Sequence, residues 1–380
     1  MSRMMRLSDL GRIVTGNTPK TSDFRNYNSK DICFVKPSDI PVDCIGRLRE
    51  SEFYISEFAR DKARMLPKGS VLLTCIGIIG KVAVNEIECA FNQQINAIIP
   101  DCDKCDCIYL AYALSAKKDY LQALANAPVV PIINKTQFSA FQIPVPSLSV
   151  QSNIVKRIEI IDYLISLRQR QAKKLDELVK ARFVEMFGER KYGEKPLSDV
   201  CKLITDGTHQ PPQFVDAGIP FLLVSNLVHN EITYDTEKFI SKESYQELIK
   251  RTPVEIGDIL LSIVGSYGHA GVVRTDKPFC FQRHIAYIKP DFSKLNSEFL
   301  HQALLSDAVK YQMEKRVKGI AQKTLNLSEL KKIIVPIPPL PLQTEFAHFV
   351  HEIDREKERI QKSAALLETL KRSLMQQYFG

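Results

Sequence analysis

Residues 151–187 read QSNIVKRIEIIDYLISLRQRQAKKLDELVKARFVEMF. Apolar side chains recur through this stretch in alternating steps of four and three: Ile154, Ile158, Ile161, Ile165, Ala172, Leu175, Val179 and Met186. Only Arg168 and Arg182 interrupt the series. An apolar period of 3.5 residues sustained over about five heptads predicts a long coiled-coil helix.

The pattern returns in residues 343–379, where Lys357 and Lys371 are the interruptions. At a shift of 192 the residues identical between the copies are Gln151, Ile161, Asp162, Gln169, Ala172, Leu175, Leu178, Phe187 and Gly188. Two ordinary amphipathic helices, each buried on its own domain, are the alternative. The charged flanks leave only a narrow apolar stripe, which favours two helices packed on each other.

The duplication extends outward from the helices. Leu7-Ser8-Asp9-Leu10 returns as Leu197-Ser198-Asp199-Val200, Ile13-Val14-Thr15-Gly16-Asn17-Thr18 as Leu203-Ile204-Thr205-Asp206-Gly207-Thr208, Phe91-Asn92-Gln93-Gln94-Ile95 as Phe281-Gln282-Arg283-His284-Ile285, and Ile143-Pro144-Val145-Pro146 as Val335-Pro336-Ile337-Pro338. A repeat of this size predicts two similar domains related by an approximate two-fold axis. Duplex DNA, which is itself two-fold, is the obvious partner for such a molecule.

Each repeat combines a mixed globular part with one long helix, so the expected fold class is α+β. Buried strands are predicted at Val71–Thr74 and Ile259–Ser262, helices at 109–114 and 299–305, and proline-studded strands at 143–146 and 335–341. The expected domains are residues 1–148, a helix at 149–188, a linker at 189–195, a second globular domain at 196–340 and a second helix at 341–380.

The two helices are expected to run antiparallel and to separate the globular domains. A 37-residue helix is roughly 55 Å long at 1.5 Å per residue. Domains that overlap the ends of such a rod reach major grooves about 34 Å apart, one turn of DNA. The helices would then act as a ruler between two half-sites.

Composition narrows the class of protein. The 380 residues carry a formal charge of +8, which favours a polyanionic partner. No run of 18 apolar residues occurs and the start does not resemble a secretory signal. The nine cysteines are therefore expected to be reduced thiols, and a cytoplasmic location is expected.

Catalytic motifs are missing from the sequence. It contains neither an amino-methyltransferase motif (Asn-Pro-Pro-aromatic) nor a Walker loop. Gly77-Ile78-Ile79-Gly80 and Gly265-Ser266-Tyr267-Gly268 predict tight turns, which either let the backbone approach a phosphate or serve only as hairpins. The cysteines of residues 102–107 have no second ligand pair nearby, so an exposed loop is favoured over a zinc site. No catalytic residue, metal or cofactor is expected.

Several motifs in the same order resemble one family, the specificity subunits of type I restriction-modification enzymes. The strongest are Asp206-Gly207-Thr208-His209 followed by Pro211-Pro212, and Gly218-Ile219-Pro220-Phe221. Gly257-Asp258-Ile259-Leu260-Leu261-Ser262 before the 265–268 turn, the 91–95 segment, the proline-rich exits, the Gln that opens each helix and the final Phe-Gly complete the likeness. In the first copy Thr15-Gly16-Asn17-Thr18-Pro19 replaces Asp-Gly-Thr-His.

The resemblance implies two target-recognition domains that each read half of a split DNA site, with no catalysis by this chain. It also implies that the helices dock two methyltransferase subunits, which translocase-nuclease subunits join, and that S-adenosylmethionine and ATP bind to these partners. Alternatives are the recognition subunit of a translocase-free restriction-methylation complex, a stand-alone DNA-binding regulator that dimerises through its helices, and an enzyme with an unrecognised site.

Polar side chains in the matched loops are the candidate DNA contacts, because amides and guanidinium groups read base edges while lysines hold phosphates. In the first domain they are Asn17, Thr18, Lys36, Lys81, Asn92, Gln93, Gln94, Asn134 and Lys135. In the second they are Thr208, His209, Ser225, Asn226, Tyr267, His269, Gln282, Arg283, His284, Gln322 and Lys323. The basic stretch 310–332 predicts stronger affinity for the DNA backbone in the second domain.

Overall fold

The computed structural model describes residues 2–42, 44–125, 131–188, 192–228, 230–319 and 323–380. The chain forms two compact units. The first unit comprises Met1–Gln169 with Lys362–Gly380, and the second comprises Arg170–Gln361. Within the described ranges, no helix combines the length and apolar character that a bilayer span requires.

The first unit is a mixed α+β structure. Its strands are β1 (Arg3–Arg6), β2 (Gly11–Thr15), β3 (Ile32–Val35), β4 (Gly46–Leu48), β5 (Tyr54–Ile55), β6 (Met65–Leu66), β7 (Val71–Thr74), β8 (Val82–Asn85), β9 (Cys89–Phe91), β10 (Ile95–Pro100) and β11 (Gln142–Val145). Its helices are α1 (Leu7–Leu10), α2 (Cys107–Ala116), α3 (Lys118–Leu124), α4 (Lys135–Ala140) and the beginning of α5 (Leu148–Phe187). Short 3-10 helices lie at Phe24–Asn26, Pro37–Asp39 and Glu57–Lys62.

The second unit contains a similar series. Its strands are β12 (Gly193–Pro196), β13 (Cys201–Asp206), β14 (Phe214–Val215), β15 (Ile219–Leu222), β16 (Leu227–Val228), β17 (Glu231–Ile232), β18 (Phe239–Ile240), β19 (Ile259–Ser262), β20 (Ala270–Val272), β21 (Cys280–Phe281), β22 (Ile285–Pro290) and β23 (Ile334–Ile337). Its helices are α6 (Leu197–Val200), α7 (Lys242–Leu248), α8 (Ser297–Leu305), α9 (Asp307–Arg316), α10 (Leu327–Leu330) and the beginning of α11 (Leu340–Phe379), with a 3-10 helix at Val224–Asn226.

The main sheets of the two units share an arrangement of four strands in the same order. In the first unit the strand order is β2-β10-β7-β8-β4, and in the second it is β13-β22-β19-β20. The β7 strand is buried on both faces, since Val71 and Leu73 contact the cluster around α2 whereas Leu72 faces the cluster that includes Phe91. The strands predicted at Val71–Thr74 and Ile259–Ser262 are confirmed, and so are the helices predicted at 109–114 and 299–305.

Smaller sheets complete each unit. In the first unit β5-β3-β9-β6 form a second sheet and β1 pairs with β11; in the second, β14-β18-β15-β21 form a sheet, β12 pairs with β23, and β16 with β17. Most pairs are antiparallel, whereas β3–β9, β4–β8 and β15–β21 are parallel. The predicted proline-studded exits form the short strands β11 and β23, but the second prediction, 335–341, extends too far because β23 ends at Ile337 and α11 begins at Leu340.

One part of the sequence alignment is shifted in the structure. Thr15 pairs with Asn96 in the first unit, and Asp206 pairs with Ala286 in the second. The alignment of residues 13–18 with 203–208 is therefore displaced by one residue, because the register shifts between Cys201 and Leu203 and adds one residue to β13. Gly16 thus corresponds to Gly207.

The two long helices begin one residue before the expected helix bounds and three residues before the apolar pattern, which starts at Gln151 and Gln343. They span 40 residues each, Leu148–Phe187 and Leu340–Phe379. The first turn of a helix contains N–H groups without internal partners, so it tolerates residues, including Pro341, that lie outside the apolar period. The pattern of apolar residues therefore predicts the packed part of the helix and misses its first turn.

The Gln that opens each apolar series is a buried connector. The Gln343 side chain donates to the carbonyls of Lys294 (3.0 Å) and Pro338 (2.8 Å) and accepts from the N–H of Asn296 at 2.8 Å. Gln151 makes the equivalent three bonds, to Lys104 O, Pro146 O and Asp106 N, at 3.0, 2.9 and 2.9 Å. Both amides are fully buried, so each fixes the start of a long helix to the loop before α2 or α8.

Charged residues that interrupt the apolar series make ion pairs with the other long helix inside each unit. In the first unit Lys371 Nζ lies 2.6 Å from Asp162 Oδ1. In the second, Lys357 Nζ lies 2.8 Å from Asp176 Oδ1, and Arg182 Nη2 lies 3.2 Å from Glu345 Oε1. Burial opposes the charge of Lys357, but its carboxylate partners outweigh burial and raise the pKa of this ammonium.

Candidate DNA interface

Four segments of the first unit are joined by backbone hydrogen bonds into a surface that we call the first loop platform: residues 15–18, 75–80, 91–96 and 131–135. The bonds are Gly16 N to Ile95 O (3.2 Å), Asn17 N to Phe91 O (3.1 Å), Cys75 N to Gln94 O (2.8 Å) and Ile133 N to Cys75 O (2.9 Å). Loops held in this way can present side chains from four distant parts of the sequence on one rigid surface.

The second unit builds the same arrangement from residues 205–209, 263–269, 281–285 and 323–325, the second loop platform. The bonds are Gly207 N to Ile285 O (3.1 Å), Thr208 N to Phe281 O (3.1 Å), Ile263 N to His284 O (2.9 Å) and Leu325 N to Ile263 O (2.8 Å). The main-chain framework is thus duplicated bond by bond. The side chains on it differ.

Glycines allow these close approaches. A Cβ atom on Gly16 would lie 2.1 Å from the carbonyl oxygen of Asn92, and one on Gly207 would lie 2.2 Å from that of Phe281. The replacement of Asp-Gly-Thr-His by Thr-Gly-Asn-Thr in the first copy therefore preserves the glycine that the backbone needs. The predicted turns at 77–80 and 265–268 are also present, and their four glycines have φ values between 74° and 87°.

Three candidate amides are occupied by internal hydrogen bonds. Asn17 donates to Lys62 O at 2.8 Å and accepts from Arg64 N at 2.7 Å. Asn226 is buried and joins the N–H of Leu223 to the carbonyl of Asp235. Asn92 is also buried and bonds to both the side chain and the N–H of Gln94. These amides shape the loops that carry them.

Two of the three candidate lysines of the first unit, Lys81 and Lys36, lie outside its platform. Lys81 is 8% exposed, and its ammonium donates to Pro37 O at 2.9 Å. Lys36 lies with its Nζ 3.1 Å from the centroid of the Phe53 ring. A cation on an aromatic face remains able to meet a phosphate, whereas the Lys81 ammonium is engaged inside the fold.

Exposed candidates remain on the first platform. The hydroxyl of Thr18 donates to Gln93 Oε1 at 2.6 Å, which joins two of the loops through exposed side chains. Asn134 caps α4 by accepting from Gln137 N at 2.9 Å, and Lys135 is exposed beside it. Besides the half-buried Asn17, the fold thus brings five candidates to this surface in exposed or half-buried positions: Thr18, Gln93, Gln94, Asn134 and Lys135.

The second platform gathers most of the second set. Thr208, His209, Tyr267, His269, Gln282, Arg283, His284 and Lys323 lie on it in exposed or half-buried positions. Lys323 Nζ lies 5.9 Å from the Tyr267 ring centroid, and His269 Nε2 lies 3.1 Å from Ser266 Oγ. Burial and the neighbouring Arg283 charge lower the pKa of His284, which favours its neutral form. Ser225 is exposed outside the platform, and Gln322 lies outside the described residues.

Sequence reasoning missed one residue at this surface, Arg251. Its Nη2 donates to Asp206 Oδ1, while the other oxygen of Asp206 lies 3.0 Å from His209 Nε2. Arg251 follows α7 and is 45 positions from Asp206, so only the fold brings them together. Asp206, the acidic residue of the Asp-Gly-Thr-His motif, thus contacts both Arg251 and His209 at the edge of the second platform.

The second unit also contains a cavity of about 750 Å³ whose walls include Arg274, Glu298, His301 and Asp354. Arg274 bridges the two acids, at 2.7 Å from Glu298 Oε1 and 3.1 Å from Asp354 Oδ2. His301 is buried and lies 2.9 Å from Ala270 O. This network joins β20, α8 and α11.

The described part of the chain places no group of three or more His, Cys, Asp or Glu side chains where they could hold a metal ion. In the segment considered for zinc, Cys102 is exposed whereas Cys105 is buried. Burial raises the pKa of Cys105 to about 12, so its sulfur is a neutral thiol near pH 7.

Comparison with known proteins matches this duplicated arrangement to one family. The model of the type I restriction modification DNA specificity domain matches residues 2–177 and again residues 189–369. The MjaIX specificity subunit of a type I restriction enzyme from Methanocaldococcus jannaschii is 24% identical over an aligned length of 396 residues. The alignment covers 97% of this chain and 90% of that protein. The EcoBI specificity subunit of Escherichia coli is 30% identical over 177 residues, 46% of this chain and 37% of that protein.

Solved structures share the fold. The S subunit of a type I restriction-modification system from M. genitalium aligns with a TM-score of 0.55 and 14% identity, covering 100% of this chain and 96% of that one. A chain from a structure describing complex assembly and conformational transition of the type I R-M system aligns with a TM-score of 0.63 and 17% identity, covering 100% and 97%. With the domain model matched twice, this chain belongs to the family of type I restriction-modification specificity subunits.

Proposed function

We propose that this protein is the non-catalytic subunit that selects the DNA sequence for a type I restriction-modification complex. The observation that carries the proposal is the loop platform, which is built twice with the same backbone hydrogen bonds and with different side chains. Equivalent frameworks suit two contacts with one duplex, and different side chains suit two different half-sites. The target is therefore an asymmetric bipartite sequence.

The long helices set the distance between the half-sites in this proposal, as an antiparallel coiled-coil spacer between two recognition domains in pseudo-two-fold relation. The ion pairs support the antiparallel direction. In the first unit Arg157 bonds to Tyr378 at 3.2 Å, and Asp162, further along α5, pairs with Lys371, which is earlier on α11. The order is likewise reversed in the second unit, where Asp176 pairs with Lys357 and Arg182 with Glu345. We take residues 1–148 and 196–340 as the recognition domains, joined through helices 149–188 and 341–380 and the linker 189–195.

Catalysis would belong to the partners. Two methyltransferase subunits are proposed to dock on the helices, where Leu366 is 72% exposed and Val184 59% exposed. Exposed apolar side chains mark a surface that a partner covers where they form a contiguous patch, which is the arrangement proposed here for the helices. S-adenosylmethionine would bind to these subunits and ATP to the translocase-nuclease subunits.

Methylation by the reconstituted complex tests the proposal. The full chain is co-expressed with its proposed methyltransferase partner, and methylated bases are mapped on genomic DNA with and without this chain. We expect adenine methylation in one split, asymmetric motif that requires both proteins and S-adenosylmethionine. Methylation by this chain alone would contradict the assignment.

Purification through a tag on this chain separates the alternatives. Recovery of the methyltransferase supports the restriction-modification complex, and a co-purifying translocase distinguishes a type I enzyme from a translocase-free one. Tight sequence-specific binding by a homodimer without any partner would instead indicate a stand-alone regulator.

A further inference from the structure

The second platform contains, in addition to the candidate contacts, the ion pair between Arg251 and Asp206. Resting on the proposed function, we propose that Arg251 reads the edge of a guanine in the half-site bound by the second unit. Asp206 acts as a positioning residue that orients its guanidinium. Arginine is suited to this contact because two of its N–H groups can donate together to guanine O6 and N7 in the major groove.

The geometry fixes Arg251 at the platform without burying it. Asp206 ends β13, immediately before Gly207, and its side chain is only 10% exposed. One of its oxygens accepts from Arg251 Nη2, and Thr205 Oγ1 lies 3.5 Å from the same nitrogen. The Arg251 side chain is nevertheless 52% exposed. A buried carboxylate thus holds one edge of an exposed guanidinium.

The remaining hydrogen-bonding capacity of Arg251 is available to a ligand. Within the residues that the structure describes, its Nε and Nη1 groups have no hydrogen-bond acceptor. A half-exposed ion pair contributes little to stability, so stability alone is a weak reason for this arrangement. Restricting the side chain before binding lowers the entropy lost when it contacts DNA.

Among the described residues of the first unit, no equivalent carboxylate–arginine pair lies at the platform. Thr15 occupies the position of Asp206, and its hydroxyl donates to Asn96 Oδ1 at 2.6 Å. Arg64 lies near the first platform because its N–H donates to Asn17, but among the described residues it has no carboxylate partner. The Asp206–Arg251 pair therefore gives the second unit a chemical feature that its sister does not share, as reading an asymmetric site requires.

The test uses the complete methyltransferase complex and synthetic duplexes based on the mapped motif, each with one base pair replaced. We expect Arg251→Ala to lower methylation of the cognate duplex by roughly 5- to 150-fold. It should also abolish the preference at a single G·C pair in one half-site while preserving the preferences elsewhere. Arg251→Lys should weaken the same preference, because lysine lacks the planar fork of donors that Asp206 holds in one orientation.

Asp206→Asn tests the positioning role. This variant should weaken discrimination at that same base pair. The preferences in the half-site bound by the first unit should remain, whereas a pair contacted by His209 can also change because the same carboxylate lies 3.0 Å from His209. A purely structural carboxylate would instead reduce binding to every duplex to the same extent. For Arg251→Ala the matched control is Lys250→Ala, since it removes the same positive charge from the preceding residue, whose ammonium pairs with Glu247 at 2.7 Å.

Two outcomes would overturn the proposal. Equal weakening of all duplexes by Arg251→Ala would indicate a phosphate contact, and wild-type discrimination in this variant would indicate no contact. Both differ from failure of the proposed function, in which the wild-type complex itself would show no sequence-dependent methylation.

Discussion

The rings of Phe379 and Tyr109 lie with their centroids 5.2 Å apart in the core of the first unit. Phe187 and Phe299 repeat this relationship in the second unit at 4.9 Å. Tyr109 and Phe299 lie at equivalent positions on α2 and α8, and each receives the aromatic residue that ends a long helix. The duplicated Phe-Gly at the helix ends therefore has a packing role in both copies.

Replacing Phe379 with Ala should destabilise the first unit. Phe379 is fully buried, so loss of its ring leaves a cavity beside Tyr109, at a cost of about 3–5 kcal/mol in unfolding free energy. Denaturant unfolding measures the loss, and hydrogen exchange should locate it in α2 and the end of α11. Leu366→Ala is the control on the same helix, since Leu366 is exposed and its truncation should change stability by less than about 0.5 kcal/mol. Equal effects of the two variants would contradict this packing role.

Replacing Gly207 with Ala should distort the second platform. The new Cβ would meet Phe281 O at 2.2 Å, and since that atom belongs to a backbone strand end, the loop must move. We expect a loss of about 1–3 kcal/mol in unfolding free energy and weaker binding to cognate DNA. The same change at Gly193 has no atom within 4 Å and serves as the control. Gly207→Ala with wild-type stability and DNA affinity would show that the loop is not held as described.

Periodicity and local chemistry predicted the strands at Val71–Thr74 and Ile259–Ser262, the main helices and the repeat, because these depend on short stretches of sequence. Such reasoning could not predict hydrogen bonds between residues that are far apart in the sequence. Lys81 carries the charge that a phosphate contact needs, yet in the fold its ammonium donates to the carbonyl of Pro37. Arg251 reaches Asp206 only because the segment after α7 lies against the end of β13. The one-residue offset at Gly16 and Gly207 arises from a register shift in a strand, and composition gives no signal for it.

His301 should make the second unit sensitive to acid. Burial lowers the pKa of His301 below 6.5, and Arg274 acts in the same direction, although Ala270 O and Glu298 oppose them. The unfolded chain therefore binds a proton at a higher pH than the folded one, and stability present above about pH 6.5 is lost as pH falls. Replacing His301 with Gln should reduce the difference in unfolding free energy between pH 7 and pH 5. His348→Gln, an exposed change on α11, should leave that difference in place. An unchanged pH dependence in His301→Gln would assign the acid sensitivity to other groups.

Lys318 and Lys323 should hold the DNA backbone without selecting its sequence. Lys318 pairs with Thr324 through two backbone hydrogen bonds of 3.0 and 2.8 Å, and Lys323 O accepts from Gly265 N at 2.9 Å, so both lysines belong to the segment joined to the second platform. Changing both to Gln should weaken specific and non-specific duplexes by similar factors. The slope of log K against log salt should fall by about 0.9 for each phosphate contact removed. The control changes Lys242 and Lys277 to Gln, which removes the same charge from exposed positions outside the platform. If this control lowers the salt slope equally, affinity depends on net charge alone. If Lys318→Gln with Lys323→Gln weakens binding only to the cognate duplex, the two lysines belong to the base-reading residues instead.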